Sequence, residues 1–101
     1  METSKAYKLL LFTSDNCLPC DGVKERFRNI FRRHPKYTSY VSYINKTTLP
    51  NMHSIYNVSR TPTLIILDNN LMEINRIEGA NHLTLSYLKN ALFLINKNRN
   101  D

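Results

Sequence analysis

Cys17 and Cys20 stand three positions apart in the run Cys17-Leu18-Pro19-Cys20, and the chain has no other cysteine. Two thiols at that spacing suit reversible disulfide chemistry, in which a thiolate attacks sulfur and a neighbouring thiol displaces what it captured. A structural bridge is a weaker use of the pair, because loop-closure stabilisation grows with loop length and this loop is nearly the shortest available. A zinc site is the other use, since close cysteine pairs begin many such sites. It needs two further ligands, and the candidates His34, His53 and His82 are scattered singly, with no second cysteine pair. The spacing favours redox chemistry over metal binding.

The surrounding residues place the pair at a junction between a strand and a helix. Residues 6 to 13 read as a first strand, apolar enough to be buried on both faces. Ser14-Asp15-Asn16 breaks it with turn-forming types. From about Leu18 to Arg33 the apolar positions Cys20, Val23, Phe27, Ile30 and Phe31 fall on one helical face, and His34-Pro35 stops the helix. Cys17 then sits where unpaired amide N–H groups and the helix dipole favour an anion, so its pKa should fall. Cys20, one turn in, faces the core. Pro19 fits a first turn because no hydrogen-bonded N–H is needed there.

Further along, Tyr40, Val41, Tyr43 and Ile44 predict a second strand, and residues 49 to 56 a short helix. Tyr40, Tyr43 and Tyr56 read as core or strand-surface residues. Pro62 introduces a buried strand, Thr63 to Leu67. Asp68-Asn69-Asn70 is good hairpin chemistry because Asn and Asp tolerate left-handed backbone, and residues 71 to 78 return as the partner strand. Gly79 ends that strand, and Leu85, Leu88, Leu92 and Ile95 mark a closing helix over about residues 82 to 96. The order β-α-β-(α)-β-β-α predicts an α/β domain with a central mixed four-stranded sheet. One domain fills residues 1–101, with its core at 5–96 and a frayed polar tail at 97–101.

Composition narrows the classes. Apolar content of 42% and charged content of 22% suit a soluble globule. No apolar run approaches the roughly 20 residues of a membrane span. The apolar patch after Met1-Glu2-Thr3-Ser4-Lys5 is too short for a signal peptide, which favours a reducing, cytoplasmic setting. The net charge of +6 concentrates in Lys24, Arg26, Arg28, Arg32 and Arg33 of the first helix. Without a phosphate loop or aromatic–basic alternation, a solvated basic face is favoured over a nucleic-acid surface, and an acidic partner surface stays open as a second use of the charge.

The element order, with a two-cysteine motif after the first strand, resembles the thioredoxin-like superfamily from Tyr7 to about Ile95. Three markers carry the resemblance: Cys17-Leu18-Pro19-Cys20, with proline before the second cysteine as in thioredoxins; Arg60-Thr61-Pro62-Thr63-Leu64, similar to the family's cis-proline segment; and Gly79 after the hairpin. Departures accompany them. Asn16 stands where thioredoxins carry tryptophan, Leu11 where many carry a buried acid, and too few residues precede Ala6 for the family's opening strand and helix. The chain resembles a small, divergent thioredoxin/glutaredoxin-type protein.

The resemblance implies a thiol–disulfide oxidoreductase that reduces protein disulfides. Cys17 would be the nucleophile and Cys20 the resolving thiol. Asn16, Leu18, Thr61, Pro62 and Gly79 would bind substrate, with the Thr61 backbone pairing an extended segment beside a cis Pro62. No cofactor is implied beyond the redox-active disulfide, with glutathione as a candidate co-substrate. Partners would be disulfide-containing proteins and an upstream reductase or glutathione, and the protein would act as a monomer. The acceptor of the Cys20 proton is open between Asp21, Asp15 and water, with Asp21 better explained as an ordinary N-terminal helical acid. Leu18 and Pro19 offer no charge or donor to a thiolate, which favours a reductant over an oxidant. Thr61 pulls the other way, since its hydroxyl could reach a cysteine sulfur. A glutaredoxin-like glutathione-dependent enzyme and a thioredoxin-fold docking subunit of a larger complex are the alternatives.

Overall fold

A computed structural model describes residues 5–100. Met1 to Ser4, on which part of the signal-peptide reading falls, and Asp101, the last residue of the expected tail, lie outside the described residues. The elements in chain order are β1 (Lys8–Thr13), α1 (Leu18–Arg33), a 3-10 helix (Pro35–Tyr40), β2 (Val41–Asn45), α2 (Pro50–Ile55), β3 (Thr63–Leu67), β4 (Glu73–Glu78), a short 3-10 turn (Ala80–His82) and α3 (Leu85–Arg99).

The four strands form one mixed sheet in the order β2-β1-β3-β4. β1 runs parallel to β2 and antiparallel to β3, and β3 is antiparallel to β4. The two central strands explain the apolar runs. Strand alternation sends Leu9 and Leu11 of β1, with Leu64 and Ile66 of β3, to one face, where α1 and α3 supply Val23, Phe27, Ile30, Leu88, Leu92 and Ile95. The other face takes Leu10, Phe12, Ile65 and Leu67, covered by Met52, Tyr56 and Val58 from α2 and the loop after it. All five residues of β3 are buried, as a strand covered on both sides must be.

The structure corrects the sequence-based expectation at three places. The closing helix runs on to Arg99, so residues 97 to 99 are helical instead of a frayed tail. The reason is a clasp. Arg99 donates from Nε and Nη2 to the carbonyl of Tyr7 at 3.0 and 2.8 Å, and Asn98 donates to Ala6 O at 3.0 Å. The guanidinium lies 3.9 Å from the Tyr7 ring centroid and 4.5 Å from that of Tyr40.

The segment after α1 is a 3-10 helix whose Tyr37 and Tyr40 rings stack and bury, a feature that periodicity did not reveal. In the β3–β4 turn the left-handed residue is Leu71 (φ 62°), not an Asn or Asp. Asp68, buried at the start of the turn, instead holds it with its side chain, its carboxylate accepting from Asn70 N–H at 2.9 Å and Met72 N–H at 3.0 Å. The side-chain bonds hold the turn's backbone, which places the strained conformation on an exposed leucine.

Among the described residues no helix is long and apolar enough to cross a membrane.

Candidate functional site

Four residues, Ser14 to Cys17, carry the chain from β1 into α1. Asn16 takes a left-handed conformation (φ 55°), which asparagine tolerates better than most side chains. Cys17 returns to extended backbone and becomes the N-cap of α1. Its Sγ accepts a hydrogen bond from the Cys20 amide at 3.1 Å, the role that a serine or threonine hydroxyl commonly fills. Pro19 occupies the first turn, where its missing N–H costs nothing.

Cys17 and Cys20 are joined in a disulfide with their Cα atoms 5.2 Å apart. Cys20 is fully buried and Cys17 half-buried, so only the leading sulfur meets solvent. On reduction, a thiolate at Cys17 would keep the Cys20 N–H and the positive end of α1 as its counter-charge. Both favour the anion.

The cis-proline turn faces this sulfur. The Thr61–Pro62 peptide is cis, and both Thr61 O and Thr61 Oγ1 lie 4.0 Å from Cys17 Sγ. The Thr61 backbone makes no backbone hydrogen bond among the described residues, which leaves it open to an extended segment. Pro62 is buried, and its carbonyl accepts from Gly79 N–H at 2.9 Å, tying the glycine to the same end of the sheet. Gly79 has φ 88°, and beyond its two chain neighbours no atom lies within 4 Å of where its Cβ would stand. The need for glycine therefore comes from the backbone conformation and not from crowding by the chain itself. Leu18, 82% exposed, and the exposed Asn16 flank Cys17 on its solvent side.

The candidate proton acceptors fare less well. Asp15 is exposed, and its carboxylate accepts from Thr47 Oγ1 at 2.7 Å and Asn45 Nδ2 at 3.2 Å. The Thr47 bond first, then the Asn45 bond, hold its carboxyl below the usual carboxylate range. Asp15 thus anchors the β1–α1 loop to the loop after β2. Asp21 is an exposed first-turn acid of α1. Asp21 N–H donates to Cys17 O at 3.1 Å within the first turn, but neither carboxylate makes a hydrogen bond to a cysteine among the described residues. Leu11 is fully buried in the core beneath α1.

The histidines do not gather. Among the described residues no three His, Cys, Asp or Glu side chains are placed to hold a metal. His53 is a core residue, with Nε2–H donating to Ile44 O at 3.0 Å and its ring set edge-on to Phe12. The basic face of α1 is partly self-neutralised, since Glu25 pairs with Arg28 at 2.7 Å and Arg32 at 3.5 Å. Arg26 turns inward and donates to the carbonyls of Ala80 and Leu83 at 3.2 and 2.9 Å.

Two groups beside Thr61 were missed as site residues from the sequence. Ser14, read only as a turn residue, shares a 2.6 Å hydrogen bond with Thr61 Oγ1. Lys46 and Arg60 line a shallow cleft with Ser14 and Thr61. No spacing rule links positions 14, 46 and 60, and only the β1–β2 and β1–β3 pairings bring their loops to one end.

Comparison with known proteins agrees with this geometry. The structure is similar to the reduced thioredoxin pre-protein of Schistosoma mansoni, with a TM-score of 0.68 at 19% identity over 89% of this chain and 79% of that one. It is similar to thioredoxin 1 of Thermosipho africanus, with a TM-score of 0.67 at 22% identity over 93% of this chain and 99% of that one. Thioredoxin of Trypanosoma brucei brucei gives a TM-score of 0.65 at 22% identity, over 93% and 78%. At such identities these likenesses speak to the fold. No curated protein matches the chain. The family model described as Thioredoxin matches residues 1–91, and with the disulfide-linked Cys17 and Cys20 it supports thiol–disulfide oxidoreductase chemistry in the broad sense. The chain belongs to the thioredoxin family.

Proposed function

We propose that this protein reduces disulfide bonds in other proteins through a dithiol–disulfide cycle at Cys17 and Cys20. The observation that carries the reading is the asymmetry of the pair: a half-exposed sulfur capping α1, bonded to a fully buried one. In the first step the Cys17 thiolate attacks a substrate disulfide, forming a Cys17–substrate bond and releasing one substrate thiolate. In the second, the Cys20 thiolate attacks Cys17 Sγ, closing the Cys17–Cys20 disulfide and releasing the other. Two electrons pass to the substrate, and the two cysteine protons end on its two thiols.

Thr61 presents free backbone beside the sulfur, and the extended substrate segment lies along it. Water takes the Cys20 proton, since neither the Asp15 nor the Asp21 carboxylate hydrogen-bonds to a cysteine among the described residues. A reductase or glutathione recharges the pair, in a cytoplasmic setting. The test is an insulin-reduction assay paired with a redox titration. Turnover with a potential near thioredoxin's, about −270 mV, is expected, and a potential near −120 mV would make the protein an oxidant instead.

A glutathione-dependent reading has one observation in its favour, the cationic Lys46 and Arg60 beside Thr61, which suit the carboxylates of a small peptide. That chemistry needs Cys17 alone. A Cys20→Ser variant that keeps full activity on glutathione mixed disulfides would establish it, and loss of that activity would exclude it.

A further inference from the structure

Leu11, at the position where many relatives carry a buried acid that assists the second thiol, is fully buried and offers no polar group to either cysteine. A pair of hydroxyls stands beside Cys17. Ser14 Oγ and Thr61 Oγ1 are 2.6 Å apart, and Thr61 Oγ1 is 4.0 Å from Cys17 Sγ, at the outer edge of hydrogen-bond reach to sulfur. Each hydroxyl owns a single proton and either oxygen can be the donor of the 2.6 Å bond, so the direction of that bond decides what faces the sulfur. If Thr61 gives its proton to Ser14, only lone pairs face the sulfur, and a thiolate is repelled. If Ser14 donates to Thr61, the Thr61 proton is released toward Cys17.

We propose that Ser14 is a positioning residue that turns the Thr61 hydroxyl toward the Cys17 thiolate, and so sets how reducing the pair is. The proposal rests on the dithiol cycle above. In the disulfide state the Cys17 sulfur is a poor acceptor, and the Thr61 proton is not committed. On reduction the thiolate becomes the strongest acceptor nearby, and the Ser14–Thr61–Cys17 chain polarises toward it. The same turn serves the protonated form, because a Cys17 thiol can donate to Thr61 O, also 4.0 Å away. Thr61 therefore meets both protonation states, and Ser14 biases the balance toward the anion. A stabilised thiolate stabilises the dithiol form, so Ser14 moves the protein from a strong reductant toward a milder one.

The experiment is a double-mutant cycle on the full chain, with Ser14→Ala, Thr61→Val and the double variant. Two readouts are taken: the pH profile of Cys17 alkylation and the equilibrium against glutathione. Ser14→Ala is expected to raise the Cys17 pKa by about half a unit and to shift the equilibrium about threefold toward the disulfide. Thr61→Val should do the same by about one unit, as loss of a hydrogen bond to a charged group requires. Ser14→Ala added to Thr61→Val should add nothing, and Ser14→Thr, which keeps the hydroxyl, should restore the wild-type profile. Additive shifts, no shift with Ser14→Ala, or a shift that Ser14→Thr fails to reverse would each overturn the proposal. If wild type itself reduces no disulfide, it is the cycle that fails. Melting curves of each variant exclude unfolding as the cause.

Discussion

Helices α1 and α3 begin alike and are used differently. Each opens on a side-chain cap that accepts the amide three residues on: Cys17 Sγ from Cys20 N–H at 3.1 Å, and Thr84 Oγ1 from Tyr87 N–H at 3.1 Å. Each entry loop is also tied down by a charged side chain. Asp15 anchors the loop before α1 to Asn45 and Thr47, and Arg26 holds the carbonyls of Ala80 and Leu83 before α3. At α3 the cap is a hydroxyl and contributes stability alone. At α1 the cap is a sulfur, so in the proposed cycle the amide that would only have ended a helix becomes a donor to the nucleophile. The proposed reactive centre is a helix cap with one atom exchanged.

Exchanging that atom back gives the largest effect. Cys17→Ser retains a good N-cap, so insulin reduction should vanish while the melting temperature stays within a few degrees of the reduced wild type. Cys17→Ala should also lose activity, and in addition about 1 kcal/mol of stability relative to Cys17→Ser, seen by urea unfolding. If Cys17→Ser kept the protein's function in its host, the docking-subunit reading would replace the enzymatic one.

The far end of α3 is where that helix does its work. Arg99→Ala removes two hydrogen bonds to Tyr7 O and a guanidinium held between the Tyr7 and Tyr40 rings. A loss of about 2 kcal/mol in denaturant unfolding is expected, with the Cys17/Cys20 potential unchanged. Thr84→Ala should cost about 1 kcal/mol and likewise leave the potential alone. A potential that moved with Thr84 would mean that the two caps are not separate devices.

The smallest effect concerns the anchors. The Asp15 carboxyl is held low by Thr47 and Asn45, so its contribution is present above the ordinary carboxylate range and is lost as pH falls through its own lowered value. Asp15 is fully exposed, and Asp15→Asn should flatten only the acid limb of the melting temperature against pH, with a slight change at neutrality.

These contrasts also mark what was legible in the chain. The bounds of α1, Leu18 to Arg33, follow from apolar periodicity closed by His34-Pro35, and those of β3, Thr63 to Leu67, from a continuous apolar run opened by Pro62, because burial enforces both patterns residue by residue. The cis Thr61–Pro62 turn came from the resemblance. Hidden from the sequence was whatever depends on two loops meeting. Ser14 against Thr61 spans 47 positions, and Arg99 against Tyr7 spans 92. Neither pair carries a local signal, and a polar C-terminal stretch reads as a frayed tail until the tyrosines that receive it are in place.

The most direct test of a sulfur activated by the cap of α1 is the pH dependence of alkylation at each cysteine of the reduced protein, resolved by peptide mapping. Cys17 is expected to react first, with a midpoint clearly below the ordinary thiol value of about 8.5, while buried Cys20 stays protected. A Cys17 midpoint at or above that value, or Cys20 modified first, would contradict the account.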